Sequence, residues 1–454
     1  MKSIRTFTTT DQRDFAALSG DWNPMHVDEV AARRTLFGRP VVHGVHGMLW
    51  GLSQLPESLL SSHTLSSIEA RFMQPIHPGD EIECVISKAT PGSTALSLQV
   101  DGQEKTRVQA VFTLSSHLRR CDAPPFAPEP AEELDFAAAS KTTGVVQLGC
   151  DPSLAARLLP QIAAADWLPI LLATTRIVGM KCPGLHSLFS SLKINFTPPH
   201  EASDLHYRVE HADPRFSSIR AHIENSRISG TLNTFLRPAP ARQPSIADLS
   251  ALVTPHEFKN WRAWVIGGSR GLGEVAAKLI ATGGGKVAIS YHQGREDAER
   301  VAAETGTDAF PFDVLSDTPP TLPWIPTHLF YFATPHITID RGAPFSQGKY
   351  HRFTECYVTA FERVLRPYEL GNHPLHVLYP SSVFLDETPP FTAEYCAAKC
   401  AGEELCKHLN KRHAHLHITA PRLPRMNTDQ TASLIAASTH DPATVLLPIL
   451  RAMQ

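Results

Sequence analysis

The sequence predicts an α+β fold for the first half of the chain and an α/β, doubly wound parallel sheet for the last third. Three observations predict this. Strand-like segments in the first 240 residues flank a mostly apolar, helix-like run, Val45 to Leu52. Ser66-Ser67-Ile68-Glu69-Ala70-Arg71-Phe72 has a faint counterpart in Ser190-Ser191-Leu192-Lys193-Ile194-Asn195-Phe196, so the first architecture reads as doubled. From residue 258 onward strand and helix patterns alternate, the sign of a parallel sheet.

The 454 residues exceed one ordinary core and suffice for two or three domains. No apolar run has the length of a membrane span, and Met1 to Thr10 lacks the apolar centre of a signal peptide. Formal net charge is -3 without a basic block, which speaks against a nucleic-acid partner. The eight cysteines are scattered and none forms a Cys-x2-Cys pair, so neither zinc nor a dithiol centre is suggested and no metal is expected. Free thiols without an export signal fit a reducing cytoplasm. Cys396 and Cys400, four apart on an expected helix, read first as packing residues.

Residues 1–120 read as one unit. Phe15 to Met25 brings Asp21, Asn23 and Pro24 ahead of His26, and Phe37-Gly38-Arg39-Pro40-Val41-Val42-His43-Gly44 leads into the central helix. An acid and a histidine five residues apart on a Gly- and Pro-bent segment suit two side chains sharing one water, as general acid–base chemistry requires. Strands are expected at Glu81 to Ile86, Ala95 to Val100 and Val108 to Leu114, with Asp101-Gly102 as a hairpin turn. Cys121 to Asp135, rich in Pro, Ala and Glu, reads as a linker over 121–135.

The stretch from Phe15 to Gly44, with Arg71-Phe72-Met73-Gln74-Pro75-Ile76-His77-Pro78-Gly79-Asp80, closely resembles the signature of (R)-specific enoyl-thioester hydratases and MaoC-like dehydratases, which have the hot-dog fold. The resemblance implies that Asp21 and His26 hold the reacting water, that Asn23 orients them, and that the Gly44 N–H is the oxyanion donor. Which of Asp21 and His26 takes the proton stays open. His43 and His46, beside a helix start, read as packing or orienting residues. The implied substrate is an acyl-CoA or acyl carrier protein thioester; no carrier segment is evident, so a carrier would be a separate partner, and a homodimer is possible.

Residues 136–240 read as a second hot-dog unit without the catalytic signature. Leu154 to Val178 would supply its helix, with strands at Leu205 to Glu210, Ser218 to Glu224 and Ser229 to Leu236. Pro75 and Pro198 follow the two repeat copies at nearly the same offset. Arg237 to Thr254 is Pro-rich, and 241–257 reads as a second linker.

Residues 258–454 open with Trp264-Val265-Ile266, then Gly267-Gly268-Ser269-Arg270-Gly271-Leu272-Gly273 and a helix, Glu274 to Ile280. Glycines there let backbone approach a pyrophosphate at a helix N-terminus. Later, Leu378-Tyr379-Pro380-Ser381-Ser382 ends a strand, and Tyr395 and Lys399 share one helical face. A lysine beside a phenol lowers its pKa. The set resembles the short-chain dehydrogenase/reductase family, a Rossmann-type fold. It implies Ser382 (Ser381 as runner-up), Tyr395 and Lys399 as catalytic groups, Lys399 also holding the nicotinamide ribose. The glycine-loop residues Gly267, Ser269, Arg270, Gly271, Leu272 and Gly273 would hold the cofactor, and Asp313 would contact adenine. The strand Lys286 to Tyr291 ends without an acid, and Arg270, His292 and Arg295 favour a 2′-phosphate, hence NADP (NADPH).

Several departures weaken the reductase pattern. Ile266 stands where the family has Thr, Tyr331-Phe332-Ala333-Thr334 replaces its Asn-Asn-Ala-Gly, and Tyr357 replaces a supporting Asn. The stretch from Asp313 to Thr327 is too short and Pro-rich for a crossover helix, and the final strand with its Gly pair is missing. The favoured reading is a bifunctional 3-hydroxyacyl-thioester dehydratase and NADPH-dependent 3-ketoacyl-thioester reductase, in lipid or polyketide-like biosynthesis by analogy. One alternative is a working hydratase with a degenerate NADP-binding or scaffold domain. A weaker one is an acyl-binding or assembly protein.

Overall fold

The computed structural model describes residues 2–114, 122–197, 203–316, 318–337, 345–371, 373–434 and 438–454. Cys121 and Pro198 fall outside them. The chain divides after Ala239 into two compact units.

The first unit is built on ten strands: β1 (Lys2–Thr6), β2 (His63–Phe72), β3 (Glu81–Thr90), β4 (Ser93–Val100), β5 (Gln103–Leu114), β6 (Thr143–Gln147), β7 (Ser187–Phe196), β8 (Asp204–Asp213), β9 (Ser218–Glu224) and β10 (Ile228–Leu236). They form one sheet in the order β1-β3-β4-β5-β2-β7-β10-β9-β8-β6. The two copies of the sequence repeat, on β2 and β7, pair antiparallel with each other: Ser67 faces Asn195, Ile68 faces Ile194 and Arg71 faces Ser191. The register makes the two halves a pseudo-dimer with a strand seam, the isologous pairing that two-fold symmetry produces. Asp101 and Gly102 turn between β4 and β5 with φ of 51° and 73°, both left-handed as a tight hairpin needs.

Each half wraps its strands around a buried helix. In the first half this is Gly44–Ser53, where Gly47 and Gly51 bring the backbone against Leu96 and Leu98. In the second half the expected Leu154–Val178 helix is broken. Pro152–Leu158 forms one piece, then Leu168–Arg176 runs directly into a π-turn, Ile177–Lys181. One apolar core spans both halves, from Leu49 and Leu98 to Leu171 and Leu192.

The second unit holds β11 (Arg262–Ile266), β12 (Lys286–Tyr291), β13 (Asp308–Pro311), β14 (His328–Tyr331), β15 (Leu375–Leu378), β16 (Ser381–Ser382), β17 (Leu416–Thr419) and β18 (Arg422–Leu423). Six of them form a parallel sheet in the order β13-β12-β11-β14-β15-β17, and β16 pairs with β18. Strand order reverses beside β11, where such sheets open a crevice at their carboxyl ends. Among the described residues no helix lies between β13 and β14, as the Pro-rich stretch predicts. The segment 241–257 is more than a linker. Its helix Ile246–Leu249 buries Leu249, and Val253 joins the same core.

Candidate active site

Local sequence fixes the acidic loop. Thr8 and Asp11 cap the helix Thr9–Ser19 reciprocally, and Gly20 ends it in the left-handed region at φ 79°. Asp21 follows at once. Asn23 then caps the short helix Pro24–Val27 by accepting from the Met25 N–H at 3.1 Å. That turn carries His26 back beside Asp21, and both are buried.

The Asp21 carboxylate is held from three sides. The Thr175 hydroxyl donates to Oδ2 at 2.6 Å and the Asn23 N–H donates to Oδ1 at 3.2 Å. On the third side a Cβ at Gly179 would collide with Oδ1. Thr175 and Gly179 come from the second half, which therefore builds part of the site. Asn23 binds that half too: its amide donates to the carbonyls of Gly179 at 2.9 Å and Leu185 at 3.2 Å. Asn23 thus anchors the loop to the other half through its side chain and holds Asp21 through its backbone N–H.

His26 Nδ1 donates to the Val41 carbonyl at 2.7 Å, which leaves Nε2 as the free basic nitrogen. The His43 ring stacks on it at 3.8 Å between centroids. Burial raises the Asp21 carboxyl above its usual range, against His26, Thr175 and the Asn23 N–H. Burial also lowers His26, against Asp21 and the Val41 carbonyl. Both shifts favour neutral groups, the direction that brings an acid and a base toward the same pH range.

Gly44 opens the central helix, so its N–H has no acceptor within that helix. A side chain there would press on Phe72, 2.9 Å from its ring. A cavity of about 790 Å³ meets Asp21, His26 and Gly44 and continues along Phe37, Ile76 and Phe189. His46 is a packing residue: it stacks on Phe15 at 4.3 Å, and burial pulls it down to about 3.

In the second unit, a Cβ at Gly273 would strike the Gly267 carbonyl, and Gly267 sits at φ 79°. The glycines therefore permit the tight strand-to-helix turn that starts Gly271–Thr282. Ser382 acts on the Tyr395 phenol, in the direction that lowers it, and accepts from the Phe384 N–H at 3.2 Å, whereas Ser381 donates to Glu403 at 2.5 Å.

Several groups sit differently from their expected roles. Lys399 is buried, donates to the Pro380 carbonyl at 2.7 Å, and lies 3.8 Å over the Tyr357 ring. The Tyr395 phenol is not lowered: burial pushes it up to about 12, against the opposing effect of Ser382. Burial pulls Lys399 itself down to about 8. Arg270 is not presented to a phosphate either. Its guanidinium is held by Asp429 at 2.7 and 2.9 Å and by Asp297 at 3.3 Å. Arg295 pairs with Glu299 at 2.7 Å. Asp313 caps a turn through the Leu315 N–H at 3.0 Å and lies 3.7 Å from His292.

Residues 2–108 match the family model described as a MaoC like domain. The first unit carries a MaoC-like domain. Similar proteins include 3-hydroxyacyl-thioester dehydratase Y of Mycobacterium tuberculosis, 30% identical over 23% of this chain and 37% of that protein. The (R)-specific enoyl-CoA hydratase of Aeromonas caviae is 38% identical over 17% of this chain and 59% of that protein. A solved MaoC-like dehydratase aligns over 52% of this chain and 96% of its own at 12% identity, TM-score 0.36. A short chain dehydrogenase from Burkholderia cenocepacia in complex with NADP aligns over 43% and 91% at 18% identity, TM-score 0.37. The chain thus spans between 37% and 59% of the length of these two curated relatives. No helix among the described residues is long and apolar enough to cross a membrane.

Proposed function

We propose that the first unit is a 3-hydroxyacyl-thioester dehydratase, equally a trans-2-enoyl-thioester hydratase, and that the second is an NADP-dependent 3-ketoacyl-thioester reductase. The observation that carries the first assignment is the burial of Asp21 beside the free Nε2 of His26, at a cavity that also meets the N-terminus of the helix Gly44–Ser53. The thioester carbonyl accepts from the Gly44 N–H, which stabilises the enolate-like charge that builds on that oxygen. Asp21 and His26 share the water: its hydroxyl joins C3 as one group takes a proton, and the other delivers a proton to C2. The reverse expels water. Thr175 and Asn23 hold the carboxylate and its loop.

In the second unit Tyr395 gives a proton to the carbonyl oxygen while Ser382 holds that oxygen in place. A bound dinucleotide would supply the hydride. The glycine turn suits its pyrophosphate at the helix N-terminus, and Arg270 must leave Asp429 before it meets a 2′-phosphate. The engagement of Arg270, with Lys399 turned to Pro380 and Tyr357, favours a second reading, in which this unit holds a dinucleotide without turnover. Joined, the two steps convert a 3-ketoacyl thioester to its enoyl product at raised local concentration. NADPH oxidation with a 3-ketoacyl thioester, with products followed by mass spectrometry, separates the readings. Oxidation followed by enoyl product supports both sites, and hydration without oxidation leaves the reductase silent.

A further inference from the structure

The second unit keeps an anion of its own on the arginine of the glycine turn. Arg270 is the N-cap residue of the helix Gly271–Thr282. A guanidinium has five N–H groups, and four of those on Arg270 are taken. Nε and Nη2 donate to the two oxygens of Asp429 at 2.7 and 2.9 Å. Nη2 also donates to the Ala241 carbonyl at 3.3 Å, and Nη1 donates to Asp297 at 3.3 Å. Ala241 closes the ring from its other side, because its N–H donates to Asp429 Oδ1 at 2.9 Å. This two-pronged pairing is the geometry in which a guanidinium also receives a phosphate. Local chain sets Asp429 in place. It opens the short turn Asp429–Thr431, which Thr428 and Thr431 cap reciprocally, and Gln243 donates to the Asn427 carbonyl beside it at 3.1 Å. The Arg270 and Asp429 side chains are 18% and 16% exposed, so this is not the solvated kind of ion pair that contributes little.

We infer that Asp429 determines how tightly the second unit holds a dinucleotide 2′-phosphate, by occupying Arg270 in its place. Arg270 with Asp297 and Asp429 sums to one negative charge, so an incoming phosphate, itself close to a dianion at neutral pH, meets repulsion until Asp429 leaves. The phosphate oxygens then take up the Nε and Nη2 donors that the carboxylate released. A dinucleotide without that phosphate offers Arg270 no such group and is indifferent to Asp429. The turn Asp429–Thr431 is therefore freed by NADPH and not by NADH. The inference rests on the reading of this unit as a dinucleotide binder.

The test is titration of the full chain with NADPH and with NADH, each followed by nucleotide fluorescence, in the wild type and in Asp429→Asn. The variant, with the circular dichroism of the wild type, should bind NADPH about tenfold or more tightly, the order that one hydrogen bond to a charged group carries. Its affinity for NADH should stay that of the wild type. In an Arg270→Ala background, Asp429→Asn should change neither affinity. Asp429→Ala gives the same comparison where Asp429→Asn does not fold. Equal NADPH affinity in wild type and variant overturns the inference and leaves the dinucleotide reading standing. So does an equal gain for NADH, or a gain that persists in Arg270→Ala, because loss of a negative charge alone would then account for it. A chain that binds neither nucleotide in either form sinks the dinucleotide reading, and the inference with it.

Discussion

At the scale of single residues, the chemistry depends on how the Asp21 carboxylate is held. Its two oxygens accept from Thr175 and from the Asn23 N–H. Removing a hydrogen bond to a charged group costs about 1.5–3 kcal/mol. Thr175→Ala should therefore lower kcat for hydration about tenfold or more, with KM little changed, and Thr175→Ser should restore it. Steady-state kinetics on folded variants checks this. The Asp-x-Asn-Pro-x-His spacing made Asp21 and His26 legible, because both lie within five residues on one turn. Thr175 was not legible. It reaches Asp21 across 154 positions, from a half with no catalytic signature. Its only trace in the sequence is a Thr pair, Thr174-Thr175, between an apolar run and Arg176. The pairing of Arg270 with Asp429 was equally hidden, since 159 positions separate them.

At the scale of elements, the π-turn Ile177–Lys181 decides whether the second half can serve the site. It follows the helix Leu168–Arg176 without a break and brings Gly179 against Asp21. Gly179→Ala should push the carboxylate out of line and reduce hydration about 10²-fold, the order of loss that a displacement near 1 Å produces. Its circular-dichroism spectrum should stay that of the wild type. The sequence shows an apolar run here but not its breaks, because composition does not report where helical hydrogen bonds shift by one residue. Strands were easier to read. The strands expected at Ala95 to Val100 and Val108 to Leu114 fall within β4 and β5, and the Asp-Gly pair fixes the turn between them.

At the scale of the whole molecule, each unit buries a histidine in the neutral form. Burial holds His46 at about 3 in the first unit and His328 at about 4 in the second, against 6.5 for the free group. The charged groups acting on His46 are Arg5 and Asp11. On His328 it is His376, with the Met453 carbonyl opposing. In each case the unfolded chain binds the extra proton. Stability is therefore full above about pH 6.5 and is lost as pH falls toward the folded value. By pH 5 the loss from His46 alone is about 2 kcal/mol. Calorimetry between pH 7 and 5 should show both units melting earlier as the pH drops. The doubled first half was visible in the sequence as a faint repeat. Its consequence, one ten-stranded sheet with a shared core and a site built from both halves, needed the pairing of β2 with β7.

The most direct test of the central claim is hydration of crotonyl-CoA by the full chain, followed by loss of enoyl absorbance, beside an Asp21→Asn variant of unchanged circular dichroism. The account predicts conversion to the 3-hydroxy thioester by the wild type, and a rate lower by about 10²–10⁴-fold in the variant. A folded wild-type chain that leaves the substrate untouched, or a variant as fast as the wild type, would contradict it.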